Sequence, residues 1–93
     1  MKEEQTFASV WDALADTAQE AAHLKVRSQL MIELNERIRQ WPGNDTVKAG
    51  QLGITRPRFS NLKGGRVDLF SLDALVDLAA AAGLAVSMEL VAA

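Results

Sequence analysis

The sequence predicts an all-α fold of five helices closed by one C-terminal β-strand, in a single domain spanning residues 1–93. Three observations predict it. Apolar residues recur at helical spacing through most of the chain, as in Phe7, Val10, Trp11 and Leu14. Residues that cap or break helices, among them Thr17, Pro42, Asn44, Thr55, Ser71 and Gly83, fall between these stripes. Residues 44–63 carry the small-residue, glycine and apolar punctuation of a helix-turn-helix, two short helices crossing at a steep angle.

The first predicted helix carries the Phe7–Leu14 stripe, with Thr6 as a suitable N-cap. Thr17-Ala18-Gln19-Glu20 has the S/T-x-x-E form of a capping box and starts the second. That helix runs to about residue 41. Leu24, Met31, Leu34, Ile38 and Trp41 form its stripe with Leu30 alongside, while Lys25, Arg27, Glu33, Glu36, Arg37 and Arg39 take mainly the wet side. Pro42 stops it, because proline lacks the donor and clashes with the preceding turn. Asn44 caps a third helix over residues 45–52, and Thr55 a fourth over 56–63. Pro57 lies in the first turn of the fourth, where a missing N–H costs little. Gly64-Gly65 ends it, and Val67 to Phe70 forms a pinned connector. Ser71 caps the fifth helix, whose expected stripe is Leu72, Leu75, Val76, Ala79 and Ala82, closed by Gly83. Residues 84–91, LAVSMELV, alternate loosely and include β-branched residues, which predicts a strand. A lone strand in a helical chain needs a partner for its backbone groups, and a second copy of the same strand supplies one. A homodimer is therefore expected.

Within residues 44–62, small Ala49 lets the second helix of the motif approach the first. Gly53 suits the φ > 0 conformation of a tight interhelical turn. Phe59 and Leu62 anchor the second helix on the core and leave its opposite face free for a DNA groove.

A net charge of −2 does not suggest nucleic acid, but its distribution does. Residues 1–24 sum to −4. Residues 25–66 carry nine Lys/Arg against three Asp/Glu, giving +6, and residues 67–93 return to −4. The basic middle coincides with the helix-turn-helix, the electrostatic footprint of a DNA contact. There is no cysteine, hence no disulfide and no thiolate metal site. The acidic start MKEEQ lacks an apolar signal region, and no run is long enough to span a bilayer. These features point to a cytoplasmic protein.

At about 100° per residue, Phe59 and Leu62 set the buried direction of the second motif helix. Arg56, Ser60 and Asn61 are then the candidates for base edges. Arginine pairs bidentately with guanine, and asparagine with adenine. Arg58, Lys63 and Arg66 are better placed for the phosphate backbone, and Thr55 can meet a phosphate at the helix start. Gln51 and Lys48 are weaker backbone candidates. Any one of these arginines alone reads as a solvated side chain. The set of four basic residues between 56 and 66 points to DNA.

The chain also resembles a known family. Leu52-Gly53-Ile54-Thr55, Pro57-Arg58, Ser60, Gly64, Asp68 and Phe70-Ser71-Leu72-Asp73-Ala74-Leu75 are similar to the DNA-binding core of XRE-family (phage-repressor-like) regulators, most of all the HigA-type antitoxins. Val10–Leu14 and Glu20–Met31 extend the resemblance over nearly the whole chain. It implies a sequence-specific DNA-binding transcriptional regulator, a dimer on a palindromic operator, with recognition helices about 34 Å apart. It further implies an autorepressing antitoxin that neutralises a RelE-like or HigB-like ribonuclease toxin. The first motif helix departs from the family pattern at Asp45, Lys48 and Gly50. Asp45 would repel a phosphate, a lysine at an inward position must snorkel, and a mid-helix glycine costs about 1 kcal/mol relative to alanine.

An enzyme is not expected, and neither is a metal or cofactor. His23 is the one histidine and lies among alanines. Glu33 and Glu36 share a helical face beside Arg37 and Lys25, which suits surface ion pairs. Gly64-Gly65 lacks the spacing of a phosphate loop. The rival expectation is a protein-interaction module whose degenerate helix-turn-helix binds a partner protein rather than DNA.

Overall fold

The computed structural model describes residues 17–92. The helix expected over residues 7–14 lies outside them. The described residues form four α-helices: α1 (Ala18–Arg39), α2 (Asp45–Leu52), α3 (Arg56–Lys63) and α4 (Leu72–Ala81), with a 3₁₀ turn at Val67–Leu69.

Each helix start follows from its cap. Thr17 Oγ1 accepts from Glu20 N, Asn44 Oδ1 from Val47 N, Thr55 Oγ1 from Arg58 N and Ser71 Oγ from Ala74 N, at 3.0–3.2 Å. Each bond satisfies an amide that the first helical turn leaves without a partner. α1 ends at Arg39, two residues before the expected Trp41, because the chain must already be turning ahead of Pro42. At the end of α2, Gly53 adopts φ +74°. Its N–H reaches the Gly50 carbonyl, and the Ile54 N–H reaches the Ala49 carbonyl at 3.0 Å. This αL closure consumes two orphan carbonyls and turns the chain into α3 within three residues. A side chain at position 53 would add about 1–2 kcal/mol of backbone strain.

α1 packs on α4, on the 3₁₀ turn and on α3, while α2 packs on α3 and α4. One core joins them: Met31, Leu34 and Ile38 from α1, Ala49 and Leu52 from α2, Phe59 and Leu62 from α3, Phe70 from the connector, and Leu75, Leu78 and Ala79 from α4. The buried stripe of α4 is Leu75, Leu78, Ala79 and half-buried Ala82, at i, i+3, i+4 and i+7. The expected Val76 lies to one side of that line and is exposed.

Residues 84–92 are not a strand. After the Leu84 N–H bonds the Ala79 carbonyl, the chain continues without regular secondary structure. A strand exists only where a second edge accepts its ladder, and the described residues offer none. Leu84 still packs against the core, and Val86 and Met88 line a shallow groove with Val26, Leu30 and Val76. No helix of the described residues is long and apolar enough to cross a membrane.

Gly50 is exposed in the interior of α2, and a Cβ built there meets nothing within 4 Å. Gly50→Ala is therefore expected to raise stability by about 0.5–1 kcal/mol, through lost freedom in the unfolded chain. An upward shift of the urea midpoint at unchanged slope checks this, and a downward shift would refute it.

Candidate nucleic-acid interface

α3 is held from three sides. Phe59 and Leu62 seat it on the core. From α1, Asn35 Nδ2 donates to the Leu62 carbonyl at 2.8 Å. From α3 itself, Arg58 Nη1 donates to the Leu69 carbonyl at 2.8 Å, and its guanidinium lies 3.8 Å from the centroid of the Phe70 ring. A cation over an aromatic face is attracted by the ring quadrupole, so Arg58 ties α3 to the connector. Arg27 of α1 reaches the same connector, donating through Nη1 to the carbonyls of Val67 at 3.2 Å and Phe70 at 3.3 Å. The connector is thus gripped by one arginine from α1 and one from α3.

Arg27 was expected on the wet side of α1 and is instead half-buried. Its position held the signal. Residues 27, 31, 34 and 38 follow the helical repeat, so Arg27 continues the buried stripe by one turn. Asn35 and the ring contact of Arg58 were also missed, because both partners are distant in sequence.

The other side of α3 faces solvent. Arg56 and Ser60 are exposed on it, Asn61 is half-buried beside them, and Thr55 stands at its start. Arg56 Nη1 donates to Thr46 Oγ1 at 2.8 Å. Lys63 Nζ lies 3.0 Å from Asp45 Oδ2, so the last residue of α3 pairs with the first residue of α2. Arg66, past the end of α3, makes a two-pronged contact with Asp68, Nε to Oδ1 at 3.3 Å and Nη2 to Oδ2 at 3.2 Å. Of the expected site residues, Arg56, Ser60 and Lys63 share one solvent-facing side, Asn61 flanks it, and Arg58 turns toward the connector. Lys48 is half-buried.

The electrostatics follow from these pairs. The Lys63 ammonium holds the Asp45 carboxyl below the usual carboxylate range, with attraction from Arg56 and Lys48 added. Arg66 lowers Asp68 in the same way, and Asp68 raises Arg66. Both carboxylates are therefore ionised at neutral pH, and two of the four cations between residues 56 and 66 are engaged with them.

A short α2 and α3 closed by a left-handed glycine, with α3 seated by its inner face and polar on its outer face, is the geometry of a DNA-reading motif. A family model described as a helix-turn-helix domain matches residues 13–90. The chain belongs to this helix-turn-helix family. A comparison with curated proteins found no significant match. In this helix-turn-helix domain α2 is the first helix of the motif and α3 the second. A helix-turn-helix domain is typically the module of a DNA-binding regulator.

Proposed function

We propose that this helix-turn-helix protein is a sequence-specific transcriptional regulator that binds a two-fold-symmetric operator as a dimer. The observation that carries this reading is the two-sidedness of α3: Phe59 and Leu62 are buried, while Arg56 and Ser60 stand exposed on the other side. Arg56, Ser60 and Asn61 read base edges in the major groove. Thr55 meets the phosphate backbone at the start of α3, Lys63 and Arg66 stand beside it paired with Asp45 and Asp68, and Arg58 serves chiefly by fixing α3 on the connector. The test is a mobility-shift titration on the DNA immediately upstream of the gene at low salt. A retarded complex whose affinity falls steeply with added salt supports the reading. No complex would sink it and favour a partner-protein module.

The C-terminal tail supports the dimer reading. Met88, Leu90 and Val91 are 73%, 98% and 76% exposed, and among the described residues the amides of 85–92 make no hydrogen bond. An identical tail related by a two-fold axis supplies both an apolar face and a backbone partner. Met88→Asp with Leu90→Asp is expected to convert a dimer into a monomer by light scattering, with the helical circular dichroism retained. A wild-type monomer at micromolar concentration would overturn the dimer.

The resemblance to HigA-type antitoxins supports a narrower role, as the autorepressing antitoxin of a toxin–antitoxin pair. An adjoining reading frame for a small ribonuclease, co-purifying with this chain, is the expected result. Absence of both leaves a plain regulator.

A further inference from the structure

The first turn of α2 holds a carboxylate where a helix-turn-helix approaches the DNA backbone with its supporting helix. Asp45 stands there among three cations, Lys63, Arg56 and Lys48, and bonds the first of them at 3.0 Å. Two influences keep it in place. The positive end of α2 favours an anion in its first turn, and the Lys63 ammonium completes an ion pair that spans both helices of the motif. The side chains of Lys63 and Asp45 remain 60% and 41% exposed. The pair therefore lies at the surface that would meet DNA and contributes nothing to the core. Arg56 donates to the neutral Thr46 hydroxyl and, among the described residues, hydrogen-bonds no carboxylate. Lys63 does.

We propose that Asp45 withholds Lys63 from the phosphate backbone, lowering affinity for duplex DNA without touching base readout. This inference rests on the DNA-binding reading above and assigns a tuning residue within it. An ammonium paired with an internal carboxylate releases no counterion from a phosphate, so in the wild type Lys63 adds nothing to the salt dependence. Removing the carboxylate frees it.

The experiment measures binding of a short mixed-sequence duplex by fluorescence anisotropy across a salt series, since the backbone contribution is independent of sequence. Asp45→Asn is expected to tighten binding about two- to fivefold, the scale of an exposed ion pair. It should also steepen the log–log salt slope by about 0.9, one added phosphate contact. Lys63→Ala alone leaves Asp45 without its counter-charge and is expected not to tighten binding. The double variant should lose the gain of Asp45→Asn. Asp45→Ser serves as a second probe, with a thermal melt confirming that each variant folds. In the free protein, carboxyl carbon NMR should show Asp45 titrating below the usual range and returning toward it in Lys63→Ala. Two outcomes overturn the inference: no tightening in Asp45→Asn, or a gain that persists in the double variant. If the wild type and all variants fail to bind duplex at low salt, the DNA-binding reading itself falls. If the wild type binds and Asp45→Asn does not tighten, only this inference falls.

Discussion

Phe70→Ala is expected to destabilise the domain by about 3–5 kcal/mol, the range for removing a buried aromatic ring. Total stability for a domain of this size is about 5–15 kcal/mol, so the variant sits near or past its unfolding threshold. Phe70 is among the largest fully buried side chains, yet it belongs to the connector and not to a helix. Its ring packs into the core and faces the Arg58 guanidinium, while its carbonyl accepts from Arg27. Truncation therefore leaves a cavity and removes the aromatic partner of Arg58. Urea unfolding checks the magnitude. Arg58→Ala, which removes the stacking and one exposed hydrogen bond but opens no core cavity, should cost no more than about 1–2 kcal/mol. If the two variants lose equally, the connector is held by its arginines and not by its ring.

Arg56→Ala is expected to weaken operator binding by about 1–3 kcal/mol, roughly five- to 150-fold, and to relax base preference at one position of each half-site. Its bond to Thr46 is exposed, so folding stability should change by no more than about 0.5 kcal/mol. A selection from randomised DNA compared between wild type and variant supplies the readout. A backbone contact would instead weaken all sequences alike. Uniform weakening by Arg56→Ala, with no change in preferred sequence, would move Arg56 from base readout to the backbone.

Much of the domain is written in local sequence. Thr17, Asn44, Thr55 and Ser71 each cap a helix through an amide three residues on, an interaction confined to one turn. The α1 stripe of Met31, Leu34 and Ile38 and the α3 pair of Phe59 and Leu62 are likewise one-helix patterns, and both are buried. Contacts that cross the fold were not legible in this way. Arg27 reaches carbonyls 40 and 43 residues away, and Lys63 meets a carboxylate 18 residues upstream. No periodicity reports where a long side chain ends. The pattern of residues 84–91 resembles a strand because alternation is a property of the segment, whereas a strand is a property of two segments. At the interface, the outward placement of Arg56 and Ser60 followed from the core face alone. The engagement of Lys63 and Arg66 with aspartates did not, since it depends on how the chain returns.

The division of α3 into a seated side and a free side also bears on how such a regulator changes its target. Phe59 and Leu62 answer to the core, and Arg58 answers to the connector, whereas positions 56 and 60 touch neither. Substitutions at sites without shared partners add nearly independently. Operator preference at those two positions can drift, or be re-engineered by exchanging residues with a sister protein, while the stability of the scaffold stays constant. The helix works as a fixed handle with an interchangeable bit.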